Sequence, residues 1–166
     1  MLHTVRRLKP IPKALLALVA AIVLVAGGWF AWWTISPLFL NKTVSEALPL
    51  SGADAQAGEL KLLFQGEFTG ADAFHKVSGT ARVVESGGET LLRFDDDFNS
   101  INGPDLYVWL VKGDNTRSDF LDLGRLKGNI GSQNYQVPEG TDLSAYDRVI
   151  IWCRAFSVLF GSAPLG

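Results

Sequence analysis

Apolar positions along the chain follow two different rules. From Ala14 to Trp33 they run through 20 residues without a charge. From Leu60 onward they come in short runs with a period near two, broken about every ten positions by turn-forming residues. These runs predict strands over Leu60 to Phe64, Lys76 to Val84, Thr90 to Phe94, Leu106 to Val111, Tyr135 to Val137 and Val149 to Cys153, with another in Phe156 to Phe160. Between them lie Gly87-Gly88, Asn102-Gly103-Pro104, Gly113-Asp114-Asn115, Gly128-Asn129-Ile130-Gly131 and Pro138-Glu139-Gly140. Glycine supplies left-handed backbone at such places, while Asn, Asp and Pro fix or cap a bend. The pattern predicts an all-β fold, an antiparallel β-sandwich or barrel-like domain, preceded by a single N-terminal transmembrane helix.

Two of the predicted strands are apolar on both faces. In Leu106 to Val111 the alternate sets Leu106/Val108/Leu110 and Tyr107/Trp109/Val111 are both hydrophobic, as expected of a central strand covered on both sides. In Val149 to Cys153, residues Val149, Ile151 and Cys153 share one face and Ile150 and Trp152 the other. Cys153 is therefore expected to be shielded.

As a helix, the uncharged run is roughly 30 Å long, the thickness of a bilayer's hydrocarbon core. Apolar character continues to Leu40, and the cluster Trp29, Phe30, Trp32 and Trp33 resembles an interfacial aromatic belt. The small residues Val25-Ala26-Gly27 offer the rival reading of a cleaved signal peptide. Of the 15 basic residues, Arg6, Arg7, Lys9 and Lys13 precede the span, whereas all 17 acids follow it. The expected layout is a basic cytoplasmic N-terminus over 1–13, a signal-anchor helix over 14–40, a stalk over 41–58 rich in Ala, Ser and Gly, and a β domain over 59–166 outside the cytoplasm, periplasmic or at the cell surface. The outer part keeps 11 basic residues against 17 acids. An acidic ectodomain argues against nucleic acid and against electrostatic docking to anionic lipid.

Cys153 is the only cysteine, so it cannot form an intrachain disulfide. Its uses are packing as a small hydrophobe, ligation of a metal or cofactor, thiol redox chemistry, or an intermolecular bridge. His75 is the one histidine beyond the span, in Phe74-His75-Lys76-Val77-Ser78-Gly79. As a ligand or base it would join Cys153 at a metal or haem iron or in a thiolate–imidazole pair; as a structural residue it would only hydrogen-bond beside a turn.

Asp95-Asp96-Asp97-Phe98-Asn99 invites a calcium reading, with Asp95, Asp97 and Asn99 at acceptable spacings. Ser100 stands where that loop needs glycine and Leu106 where it needs a bidentate glutamate, so the motif fails. A solvated acidic turn is the simpler reading; a nonstandard cation site would use Asp95, Asp97 and Asp105. The glycines of Gly124 to Gly131 match no phosphate-binding spacing and read as turns. With one available histidine and no GxSxG, no hydrolase set is present, and nothing points to substrate turnover.

Three segments in order, Asn102-Gly103-Pro104-Asp105-Leu106-Tyr107-Val108-Trp109-Leu110, Leu123 to Tyr135 with its LKGNIGSQNY, and Trp152-Cys153-Arg154-Ala155-Phe156-Ser157-Val158-Leu159-Phe160-Gly161, together resemble the DM-thirteen domain, a family proposed to act in electron transfer. The resemblance covers roughly Leu60 to Leu165 and includes Gly66-Glu67-Phe68 and His75 to Gly79. It implies an extracytoplasmic all-β domain of a kind that occurs beside haem-binding or cytochrome-type domains. It also implies that Cys153 is the redox centre, as a free thiol or as a ligand to a prosthetic group. This chain carries no cytochrome domain of its own, so the expected electron partner is another protein or a small molecule. The competing expectation is a protein- or glycan-binding sandwich displayed on a stalk, recognising its partner through the turns around Asp95 to Asp105.

Overall fold

The computed structural model describes residues 12–36, 40–48, 60–86, 88–113 and 118–166. The chain divides into two units, Met1–Pro37 and Leu38–Gly166. The expected basic N-terminus lies almost wholly outside the described residues.

The first unit contains one helix, α1 (Lys13–Ile35), preceded by Pro12, whose side chain gives no capping hydrogen bond. Its stretch Lys13–Trp32 is long and apolar enough to cross a membrane and buries none of its surface within the protein. A helix that is apolar all round and covered by nothing needs an apolar solvent or a cleavage event.

The second unit is built of strands: β1 (Lys61–Glu67), β2 (Thr69–Gly70), β3 (Val77–Ser78), β4 (Thr80–Ser86), β5 (Glu89–Phe94), β6 (Asn99–Ser100), β7 (Leu106–Val111), β8 (Leu121–Arg125), β9 (Gln133–Gln136), β10 (Arg148–Cys153) and β11 (Val158–Pro164). One sheet has the order β1-β4-β5-β9 and the other β2-β11-β10-β7-β8, with β3-β6 as a short ribbon. Every pairing of named strands is antiparallel. The all-β antiparallel sandwich expected from the sequence is the fold observed.

The two sheets meet over Val83, Leu92, Phe94 and Tyr135 from one side and Val108, Leu110, Val149, Ile151, Cys153 and Ala163 from the other. Phe68, Phe94 and Phe98 fill the centre, with ring centroids 4.6 to 5.3 Å apart. At one corner the sandwich nearly closes. Gln65 and the C-terminal Gly166 exchange backbone hydrogen bonds, and a Cβ at Gly66 would lie 1.6 Å from the Pro164 carbonyl oxygen.

Among the differences between the expected strands and the fold, three have a local cause. The run from Lys76 to Val84 is cut into β3 and β4 at Gly79, whose φ is +108° and whose missing Cβ would meet the Phe98 backbone at 2.5 Å. β8 was not expected, since it is a half-exposed edge whose register shifts against β7 between Tyr107 and Trp109. β11 runs on to Pro164 through Gly161, a glycine required because Val77 Cβ sits 2.7 Å from where its Cβ would be.

Of the stretch 41–58 expected as a stalk, residues 41–48 are described. Residues 41–48 pack along the loop 126–132 of the sandwich. Val44 N–H donates to the Ile130 carbonyl and Glu46 N–H to the Ser132 carbonyl, both at 2.9 Å. Cβ atoms at Gly128 and Gly131 would lie 2.5 Å and 2.3 Å from the Lys42 and Val44 carbonyl oxygens, so glycine there permits the approach. Residues 49–58, the rest of that stretch, lie outside the described residues.

Candidate functional site

Because successive strand residues point to opposite faces, β10 sends Val149, Ile151 and Cys153 into the core and Ile150 and Trp152 outward. Cys153 has 0% exposure. It pairs in register with Leu106 of β7 on one side and Val158 of β11 on the other, at the end of β10 that turns through Arg154 to Ser157 into β11. The expectation that this run is apolar on both faces holds.

The outward face carries an aromatic layer. Trp109 stacks on Phe120 with centroids 4.0 Å apart and on Trp152 at 5.4 Å. Tyr107 pairs in register with Trp152. The Arg154 guanidinium lies 4.3 Å over the Tyr107 ring, and Arg125 Nε donates to the Tyr107 hydroxyl at 3.2 Å. Arg125 in turn pairs with Asp105. Beside this layer lies a cleft of about 420 Å³ lined by Trp109, Phe120, Asp122, Trp152, Arg154 and Ser157. No local pattern in the sequence marks Phe120, because only the pairing of β7 with β8 brings it to Trp109.

His75 sits in a different setting. Its Nδ1 donates to Asp72 Oδ2 at 2.8 Å, and Asp72 Oδ1 accepts from the backbone N–H groups of Phe74 and His75, both at 2.7 Å. The hydrogen bond from the imidazole, followed by the two backbone donors, holds the Asp72 carboxyl down at about 2. The other neighbour of the imidazole is the Phe160 ring, 4.7 Å away.

Asp95, Asp97 and Asp105 each have partners within the protein. Asp95 is bound by Arg82 at 3.1 Å and by Arg93 at 3.3 Å, two arginines directly opposite each other on β4 and β5. Asp97 accepts from the Thr80 backbone N–H at 3.0 Å and its hydroxyl at 2.8 Å. Asp105 faces Arg125. Among the described residues no three His, Cys, Asp or Glu side chains gather where they could hold a metal ion.

The glycine-rich LKGNIGSQNY segment is organised by Gln133, which is fully buried. Its Oε1 accepts from Lys127 N–H, Gly128 N–H and the Tyr135 hydroxyl, and its Nε2 donates to the Gly128 and Gly131 carbonyls. Burial pushes the Tyr135 phenol well above its ordinary value. This segment is a structural knot, as its reading as turns anticipates.

A prosthetic group at Cys153 can be tested against these residues. A group of that size occupies a pocket of about 300 Å³ or more. Cys153 is wholly enclosed by core side chains and lines neither the outer cleft nor the second cleft, between Gly88 and Leu143. As folded, a haem does not fit at the sulfur.

An antiparallel sandwich with one enclosed thiol beneath an aromatic layer is thus the class of domain that fold and site define. The profile of the family described as Electron transfer DM13 matches residues 67–165, more than half of the chain, and the chain belongs to that family. No curated protein and no solved structure matches the chain.

Proposed function

We propose that the protein is an electron-transfer module tethered to a membrane by α1, with its β unit outside the cytoplasm and the Cys153 thiol as redox centre. The observation that carries this reading is the enclosure of the chain's one thiol at the end of β10, within the segment that belongs to an electron-transfer family. Thiol–disulfide exchange needs a second sulfur to reach the first, and an enclosed thiol denies that approach. Enclosure suits electron exchange across the sheet with a donor or acceptor held outside. His75 belongs to this reading only through Nε2, since Asp72 holds Nδ1.

The test is a potentiometric and spectroscopic titration of the full-length protein purified from its host membranes, beside Cys153→Ala. The expected result is a redox signal in the wild type that is lost or displaced in the variant at unchanged circular dichroism. Identical titrations, or no signal in either protein, overturn the assignment of the centre to Cys153.

A further inference from the structure

We infer that one end of the β unit is a membrane-docking surface, where the loop tips Phe74 and Phe156 enter the headgroup region of the bilayer that holds α1, an inference that rests on the membrane tether of the proposed function and not on the redox role of Cys153.

Register defines that end. Cys153 closes β10 opposite Leu106, which opens β7, and opposite Val158, which opens β11, so the loop 101–105 and the turn 154–157 leave the sheet together. The two are joined where Arg154 N–H donates to the Asp105 carbonyl at 3.0 Å. The loop 71–76 comes to the same place. β2 pairs with Gly161 and Ser162 of β11, Ala71 N–H then donates to the Phe160 carbonyl, and Ile101 N–H donates to the Lys76 carbonyl.

Apolar side chains stand outward on these loops. Phe74 is 82% exposed and Phe156 71%, and Ile101 and Leu40 are exposed beside them. Asn41 Oδ1 accepts from Asn102 Nδ2 at 3.0 Å, which brings the chain next to Leu40 onto the loop 101–105. The Phe74 tip is fixed, because Asp72 Oδ1 accepts from the Phe74 and His75 N–H groups. Among the described residues of the β unit, only Leu60 and Leu62, around the start of β1, are large, apolar and exposed elsewhere. Rings held outward on converging loops mark a surface that something apolar covers.

Chain length selects the lipid surface as the occupant. α1 ends at Ile35 and Leu40 stands five residues on, a stretch that reaches no more than about 18 Å in any conformation. The end of the β unit that receives Leu40 is thus kept near the bilayer surface, and it is the end that carries the aromatic tips. Charge agrees with this. Lys76 and Arg154 each stand two residues from a tip, while the acids of the same loops, Asp72 and Asp105, are paired with His75 and Arg125. Cations beside inserted rings meet the phosphate oxygens of the headgroups, so docking here needs no anionic lipid although the unit as a whole is acidic.

The experiment is NMR of the full-length wild-type protein in phosphatidylcholine nanodiscs that carry a nitroxide-labelled phosphatidylcholine, compared with the same discs after reduction by ascorbate. The nitroxide is expected to broaden the amide signals of α1, of 73–75 and of 155–157. Those of 139–141, beside Leu143 ahead of the opposite end of β10, should stay sharp. Phe74→Asp combined with Phe156→Asp, both in exposed loops that do not carry the fold, is expected to lose the broadening at both tips while α1 stays broadened and the core shifts stay unchanged. Sharp tips beside a broadened α1 overturn the docking surface and leave the tether standing, which is also the result if a protein partner, and not lipid, covers this end. A sharp α1 overturns both. Broadening undiminished in the double variant, or equal at 139–141, overturns the docking surface as well.

Discussion

Trp152 and Cys153 are neighbours in the chain and lie on opposite faces of one strand, the thiol in the sandwich core and the indole in the aromatic layer outside. One peptide unit thus separates an enclosed sulfur from a surface that a partner can reach. The electron-transfer reading rests on that arrangement.

Enclosure makes a direct statement about thiol reactivity. In native buffer Cys153 should react with a disulfide reagent orders of magnitude more slowly than in denaturant, at a rate set by opening of the domain. Stopped-flow thiol titration checks this; a fast native reaction would sink it. Cys153→Ser places a hydroxyl in the same apolar site and should cost about 1–3 kcal/mol in denaturant unfolding.

Asp95 neutralises two arginines that face each other across β4 and β5. Asp95→Ala removes that neutralisation and leaves Arg93, whose side chain is largely buried, short of a carboxylate. A loss of about 1–3 kcal/mol is expected, with Asp95→Asn intermediate. Added calcium should leave the Tm of wild type and variant unchanged; a calcium-dependent rise would restore a cation role to this turn.

The 41–48 segment is fastened through Glu46. Its carboxylate meets Lys127 Nζ at 2.9 Å and Asn134 N–H at 2.8 Å. Burial works to raise the Glu46 carboxyl, but the Asn134 N–H and Lys127 outweigh it and hold the group below its ordinary 4.5. The lowered value means that this attachment is fully made above 4.5 and is lost as pH falls through the depressed value. Glu46→Gln should raise hydrogen exchange at Asn134 and Val44 at neutral pH relative to the wild type. Unchanged protection in the variant would show that the backbone bonds suffice.

The Asp72–His75 contact makes a second pH statement. With Asp72 lowered from 3.8 to about 2, its contribution to the 71–76 loop is present above 3.8 and disappears between 3.8 and about 2. NMR titration of the Asp72 carboxyl should give a midpoint near 2 that moves toward 3.8 in His75→Ala. An ordinary midpoint in the wild type would show that the imidazole does not hold it.

Gly79→Ala should be among the most disruptive single substitutions. Its φ of +108° suits glycine, and the added Cβ would meet the Phe98 backbone at 2.5 Å and the Asp97 carbonyl at 2.7 Å. A loss well above about 1 kcal/mol is expected by thermal or denaturant unfolding, against a smaller loss in Gly88→Asn, where φ is also positive at +81° but nothing lies within reach of an added Cβ. Equal stabilities would mean that the β3–β4 break tolerates ordinary backbone.

The period-two pattern by itself determined the all-β class, the central position of β7 and β10, and the face that Cys153 shares with Val149 and Ile151, because in a strand alternation fixes which side chains lie together; which of the two apolar faces lies between the sheets was left to the tertiary structure. The 20 uncharged residues likewise determined a helix with nowhere to hide its surface in the protein. Tertiary structure alone decided what those faces meet. Arg82 and Arg93 lie opposite each other only because of the β4–β5 register, and Asp95 reads as a cation ligand until that register is known. Phe120 reaches Trp109 through an irregular edge strand with no alternating signature, and Glu46 reaches Lys127 across 81 residues. Such contacts depend on loop closure and register between distant segments, which no local sequence pattern encodes.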